Sequence, residues 1–101
     1  MSLTVIITRA VEDRFRGFLG SCMIEISPGV YTAVRMRQSV RERVWGVLAD
    51  WHEGLASDGS IVMTWRDKKA PGGQGLRHLG EPPRSLVEAD GMVLVKRELF
   101  G

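Results

Sequence analysis

The order of apolar and polar positions along the chain predicts that it begins with a strand followed by a helix. Leu3–Thr8 is a short run of β-branched and apolar residues, long enough for one buried strand and too short for a helix. From Val11 the period becomes helical, because one face collects Val11, Phe15, Phe18, Leu19 and Cys22. Glu12 and Asp13 fall in the predicted first turn, where negative charge is favoured.

A hairpin and a longer helix are predicted next. Residues 23–26 and 30–34 have strand character and are separated by Ser27-Pro28-Gly29, which has the composition of a turn. Ser39 and Glu42 have the spacing of a capping box, which predicts a helix starting at the serine. Its apolar face is formed by Val40, Val44, Val47, Leu48, Trp51 and Leu55. Trp45 lies off this face, and we expect it in the core.

The last third of the chain predicts short strands separated by breaks. Residues 61–65 form an apolar strand, and 66–75 read as a flexible basic loop rich in glycine. A short strand is possible over 76–79, Pro82-Pro83 breaks the chain, and 92–95 form a final apolar strand. The sequence shows no internal repeat, and no linker divides it into separate domains.

This order predicts an α+β fold of the ferredoxin-like βαββαβ type, with one or two extra C-terminal strands. We expect one domain over residues 1–101, with a core at about 3–80. The segment at about 84–101 is expected to contact a second subunit or a partner. An open sheet in so small a protein favours a homodimer.

Composition narrows the class of protein. The chain has 101 residues, of which 44% are hydrophobic and 26% charged, as in globular proteins. Its net charge is only +2, but residues 35–43 carry four arginines against Glu42. Such an arginine-rich stretch is suited to binding a polyanion, although most charged stretches of small proteins are simply solvated. No apolar run approaches the ~20 residues that cross a membrane, and no signal peptide is recognisable, so we expect a cytoplasmic protein without membrane contact.

Cys22 is the single cysteine, which excludes an intrachain disulfide and a zinc site built from cysteines. We expect it to be a buried structural thiol. The two histidines, His52 and His78, have no second ligand at metal-binding spacing. The residues therefore predict no metal site.

Three functional classes share the predicted fold. An RNA-recognition module stacks bases on aromatic side chains of its central strands, and here only Tyr31 is available. A metal-dependent nuclease needs converging carboxylates, whereas Arg9 ends the first strand. A small-molecule regulatory dimer is a further alternative, against which the basic clusters argue.

Several short stretches, in this order and spacing, carry a resemblance to a known family. They are the strand Leu3–Thr8, Val11 with Arg14-Phe15-Arg16-Gly17, Glu25 with Gly29-Val30-Tyr31, Arg41-Glu42 with Trp45, Val62-Met63-Thr64-Trp65, and Asp90-Gly91. The chain resembles, from Leu3 to about Val95, the small CRISPR-associated adaptation protein of the type I-E subtype. Members of that family are ferredoxin-like dimers that partner the CRISPR spacer integrase.

The resemblance implies a homodimer at the centre of the integrase complex, holding double-stranded DNA during spacer acquisition in antiviral defence. Arg14 and Arg16 match duplex-contacting positions of the family, and Arg84 matches a further basic position. Arg37 and Arg41 lie beside another such position, where this chain has Ser39. These contacts would be to phosphates, with little base reading. No catalytic or metal-binding residue is assigned.

The end of the first strand departs from the family pattern. Many members of the wider family have an acid there, associated with metal-dependent phosphodiester hydrolysis, and this chain has Arg9. A guanidinium cannot ligate a cation. No cofactor is therefore expected for the scaffold, and Mg²⁺ belongs only to the alternative function, an endonuclease acting on RNA or DNA. The tail after Val95 occupies the region that would meet the integrase.

Overall fold

The chain folds as a sheet with two helices on one face. The computed structural model describes residues 2–53, 59–80, 85–89 and 92–96. The elements are β1 (Ser2–Arg9), α1 (Asp13–Cys22), β2 (Ile24–Ser27), β3 (Val30–Met36), α2 (Gln38–Glu53), β4 (Ser60–Arg66), β5 (Gln74–Leu79), β6 (Ser85–Ala89) and β7 (Met92–Lys96). A single 3-10 turn, Pro71–Gly73, joins β4 to β5. The predicted α+β, ferredoxin-like fold is confirmed.

β1 lies at the centre of a five-stranded antiparallel sheet of order β2-β3-β1-β4-β5. Ile6 of β1 stands opposite Tyr31 of β3 and Met63 of β4. β6 pairs antiparallel with β7 in a separate two-stranded sheet. Of these two strands, β7 was predicted from its apolar run and β6 was not.

The hydrophobic core lies between the helices and one face of the five-stranded sheet. Its members are Ile6, Phe15, Leu19, Met23, Tyr31, Met36, Val44, Trp45, Leu48, Ile61 and Met63. Because side chains alternate along a strand, the residues between these positions project from the other face. Among them Leu3, Ile7 and Val34 are 51%, 45% and 71% exposed. The sheet therefore has one covered face and one open apolar face.

Both helices begin at different residues from those predicted. α1 begins at Asp13, with Glu12 extended at the N-cap and making no side-chain cap hydrogen bond. α2 begins at Gln38, and the Arg41 N–H donates to the Arg37 carbonyl at 2.9 Å. The capping box was wrong, because Ser39 already lies inside the helix. Glu42 instead forms an ion pair that the next subsection describes.

The basic segment 66–75 is an organised turn rather than a flexible loop. β4 continues to Arg66, and the Asp67 N–H donates to the Gly73 carbonyl at 2.9 Å. The Asp67 carboxylate accepts the Lys69 N–H at 2.9 Å. These hydrogen bonds close the turn between two paired strands. The prediction of a flexible loop, which rested on the glycine content, was therefore wrong.

Cys22 is exposed, so the expectation of a buried thiol was wrong. It is the last residue of α1, and the next residue, Met23, takes the core position at 6% exposure. The Cys22 thiol faces the carbonyls of Phe18 and Leu19 at 3.5 and 3.7 Å. Partial burial raises the pKa of this thiol.

Several sequence-level predictions fall outside the described residues. They concern Leu55, the break at Pro82-Pro83, Arg84, the Asp90-Gly91 turn and the tail from Arg97 to Gly101.

Gly75 and Gly46 provide a matched test of the packing. A Cβ at Gly75 would overlap the Trp65 ring, whereas a Cβ at Gly46, in α2, would meet nothing within 4 Å. We expect Gly75→Ala to lower the free energy of unfolding by about 1–3 kcal/mol through overpacking. Gly46→Ala should raise it by about 1 kcal/mol through helix propensity. Urea unfolding measures both, and an unchanged Gly75→Ala protein would contradict the described Trp65 position.

Candidate nucleic-acid interface

Arg14 is held at one end of the helix layer by aromatic rings. Its guanidinium carbon lies 4.9 Å from the centre of the Trp51 ring and 5.7 Å from that of Phe15. Trp51 in turn meets Phe15 and Phe18 edge-on, each with ring centres 5.5 Å apart. Stacking on a ring leaves the guanidinium N–H groups available to an incoming oxygen. Arg14 is thus an exposed, positioned donor near the C-terminal end of α2.

Arg16 points to the other flank of α1. Its guanidinium lies 3.7 Å from the Glu25 carboxylate on the edge strand β2. The nearby Tyr31 hydroxyl, and after it the Glu25 carboxylate, raise the pKa of Arg16. The Tyr31 hydroxyl is buried and forms no hydrogen bond of normal geometry. Arg14 and Arg16 therefore lie on different flanks of α1.

Glu25 is itself anchored by the turn that follows β2. Its carboxylate accepts the Gly29 N–H at 2.9 Å, and this bond lowers the pKa of Glu25. Tyr31 and Arg16 lower it further. The carboxylate therefore orients Arg16 and offsets part of its charge.

Arg41 is buried rather than exposed, although the sequence placed it in a basic surface run. It is 8% exposed, and its guanidinium carbon lies 4.2 Å from the centre of the Trp65 ring. The Glu42 carboxylate lies 3.9 Å from Arg41 and pairs more closely with Arg77, at 2.9 Å. The Nε of Arg41 is buried without a hydrogen-bond partner. Arg41 therefore reaches a nucleic acid only if a phosphate enters the cleft beside it.

The sequence-predicted arginines form two groups. Arg37 is exposed just before α2, next to Arg41, whereas Arg14 stacks on Trp51, ten positions further along α2 than Arg41. At 1.5 Å per residue the two groups are separated by about 15 Å along the helix. The sequence analysis had likewise placed Arg14 and Arg16 in one stretch and Arg37 and Arg41 in another.

The turn residues Arg66, Lys68 and Lys69 are basic side chains that the sequence analysis did not select. They line a cleft together with Arg41. The sequence does show a basic segment at this position, but its glycines led to the prediction of a flexible loop. The strand pairing of β4 with β5 is what brings the segment back beside α2.

Arg9 is exposed at the end of β1, opposite Ser60 of β4. Within residues 2–53, 59–80 and the two later strands, no group of three or more histidine, cysteine, aspartate or glutamate residues is placed to hold a metal ion. Tyr31, the aromatic residue weighed as a base-stacking platform, is fully buried under the helices. It is not presented to RNA on the open face.

The fold and these basic groups define a small ferredoxin-like protein with arginines along its helix layer. Residues 3–94 match the family model of the CRISPR-associated protein Cas_Cas2CT1978. The chain belongs to this family and is a Cas2-type CRISPR-associated protein. The resemblance inferred from the sequence is thereby confirmed. Among the described helices, none is long and apolar enough to cross a membrane.

The anchored carboxylate predicts a pH dependence of stability. The pKa of Glu25 is lower in the folded protein than its ordinary value of 4.5. Its stabilising contribution is therefore complete above that ordinary value and is lost as pH falls through the lowered pKa. We expect Glu25→Gln to be less stable than wild type at pH 7, and we expect this difference to shrink as the pH is lowered below 4.5, measured by urea unfolding. Asp50→Asn, an exposed change on α2, is the control. A difference that stays constant as the pH is lowered would contradict this origin.

Proposed function

We propose that the chain acts in the cytoplasm in CRISPR spacer acquisition, as a homodimeric, double-stranded-DNA-binding scaffold beside the spacer integrase. The observation that carries the proposal is the family match over residues 3–94, together with the arginines held along the helix layer. No chemical step and no cofactor are assigned to the chain itself. Its proposed work is to bind and position DNA.

The layout of the arginines supports phosphate contacts. Arg14 and Arg16 are exposed on α1, and Arg37 is exposed before α2. Successive phosphates of one DNA strand are about 3.4 Å apart along the helix axis, so the ~15 Å between the two ends of α2 spans four or five of them. Arg41 would join this set from within its cleft, and Arg84 remains a proposed contact outside the described residues. Phosphate contacts bind without reading sequence.

The open face of the sheet supports a homodimer. Leu3, Ile7 and Val34 project from it, and Ile24 of the edge strand is 68% exposed. An apolar face of this kind needs cover, and a second copy of the chain supplies a matching face. The segment at about 84–101 is proposed to contribute to the same contact or to the integrase.

Arg9 supports a scaffold over a nuclease. A metal ion at the end of β1 would meet a guanidinium, which repels it and offers no lone pair. Glu12 and Asp13 lie nearby in sequence, but Asp13 is explained by its place in the first turn of α1. The end of β1 therefore lacks the acidic residue that the nuclease alternative requires.

Salt dependence of duplex binding tests the proposed surface. We expect the double change Arg14→Ala with Arg16→Ala to reduce the slope of log affinity against log salt by about one for each arginine–phosphate pair removed, because fewer counterions are released. Fluorescence anisotropy with a short duplex, titrated at several salt concentrations, gives the slope. The matched control, Arg14→Lys with Arg16→Lys, keeps both charges and should keep the slope. An unchanged slope in the alanine protein would place the DNA elsewhere.

The same proteins separate the scaffold from the nuclease. Wild type should leave duplex DNA and RNA intact in Mg²⁺, and Arg9→Ala should bind duplex about as well as wild type. Cleavage that appears only in Arg9→Asp would agree with loss of the activity in the natural sequence. Cleavage by wild type, absent after chelation of Mg²⁺, would favour the endonuclease.

A further inference from the structure

An acidic residue stands beside one of the proposed duplex-contacting arginines. The Nη2 nitrogen of Arg16 lies 3.7 Å from Oε2 of Glu25, on the edge strand β2. A carboxylate repels the phosphates of DNA, so a simple count of charges makes Glu25 unfavourable at this surface. The contacts that surround Glu25 point to a different role.

Glu25 is held in place by the backbone of the β2–β3 turn. Its Oε2 accepts the Gly29 N–H at 2.9 Å. Gly29 has a φ of 77°, and a Cβ at this position would lie 2.7 Å from the Thr8 carbonyl oxygen, so the turn requires glycine here. The Gly29 carbonyl accepts the Thr8 N–H at 2.7 Å and the Thr8 hydroxyl at 3.1 Å. The carboxylate is therefore anchored, through one turn, to the central strand of the sheet.

Tyr31 lies beneath the pair of charged side chains. Its side chain is fully buried, and its hydroxyl forms no hydrogen bond of normal geometry. The hydroxyl is nevertheless close enough to raise the pKa of Arg16 and to lower the pKa of Glu25. Because the Tyr31 ring is packed in the core, it gives both charged groups a fixed polar neighbour.

The geometry leaves Arg16 able to bind a phosphate. Its side chain is 51% exposed, and that of Glu25 is 35% exposed. A guanidinium has five N–H donors, and here the Nη2 group is the one that faces the carboxylate. At 3.7 Å the two atoms lie beyond hydrogen-bonding distance. Glu25 therefore attracts the guanidinium without occupying its donors.

Orientation matters because arginine is a long side chain with many rotamers. Immobilising such a side chain against a ligand costs conformational entropy. A neighbouring group that restricts the rotamers beforehand removes part of this cost. Glu25 restricts Arg16 from the β2 flank, as Trp51 restricts Arg14 by stacking.

We propose that Glu25 is a positioning residue: anchored by Gly29, it presents the Arg16 guanidinium to a phosphate of duplex DNA and strengthens binding despite its own negative charge. This inference rests on the proposed duplex-binding function. It gives Glu25 no contact of its own with the DNA.

The order of the Arg16 side chain tests the proposal without DNA. Nitrogen-15 relaxation of the arginine Nε–H groups gives their order parameters, and Arg16 is assigned from the signal that is lost in Arg16→Lys. We expect Glu25→Gln to lower the order parameter of Arg16 and to leave that of Arg14, on the other flank of α1, unchanged. An equally ordered Arg16 in the Glu25→Gln protein would overturn the proposal.

A double-mutant cycle tests the effect on duplex binding. Fluorescence anisotropy with a short duplex compares wild type, Glu25→Gln, Arg16→Ala and the double variant, under conditions in which circular dichroism shows all four proteins to be folded. We expect Glu25→Gln to weaken binding by about threefold, because the restriction of the Arg16 rotamers is lost. In the Arg16→Ala background the same change should not weaken binding. Unchanged or tighter binding by Glu25→Gln, or equal weakening in both backgrounds, would overturn the proposal.

Two single variants complete the experiment. Asp50→Asn removes an exposed carboxylate on α2 and should not weaken binding, and a loss equal to that of Glu25→Gln would also overturn the proposal. Arg16→Ala alone reports on the proposed function. If it weakens binding and Glu25→Gln does not, the duplex surface stands and only the positioning role fails. If it leaves the affinity unchanged, the assignment of Arg16 to the duplex surface fails together with the role of Glu25.

Discussion

The constraint on which the rest of the structure depends is that two helices cover only one face of a five-stranded sheet. Phe15 and Leu19 from α1, with Leu48 from α2, seal Ile6 and Met63 into a continuous core. The alternation of strand side chains then leaves a second apolar face without cover. A chain of this size gains by burying that face against a copy of itself. This geometry supports the proposed homodimer, as does the family match.

Aromatic rings decide where the positive charge is held. Trp51 supports Arg14 near one end of α2, and Trp65 supports Arg41 near the other. Each ring is partly buried and packs against the core, so the two guanidinium groups contact residues that also stabilise the fold. Arg41 differs from Arg14 in one respect, because its burial leaves its Nε without a hydrogen-bond partner. Arg14 and Arg16 are exposed on α1, whereas Arg41 lies within a cleft.

The spacing of apolar residues predicted the fold, because the positions that form the core dominate this pattern. The strand at Leu3–Thr8 and the apolar faces of both helices emerged from local patterns that tertiary packing only reinforces. Local patterns failed where a long-range contact decided the outcome. Glu42 matched a capping box in sequence, but it bonds to Arg77, 35 residues away. The cleft was missed for the same reason, because pairing of β4 with β5 folds Lys69 back towards Arg41.

The central claim is that the chain assembles DNA and integrase without chemistry of its own. Size-exclusion chromatography with light scattering tests it most directly, on this protein mixed with the integrase from its own source and a short duplex. The account predicts one complex of fixed stoichiometry, built around two copies of this chain and dependent on the duplex. A dimer of the chain that elutes apart from both integrase and DNA would contradict it.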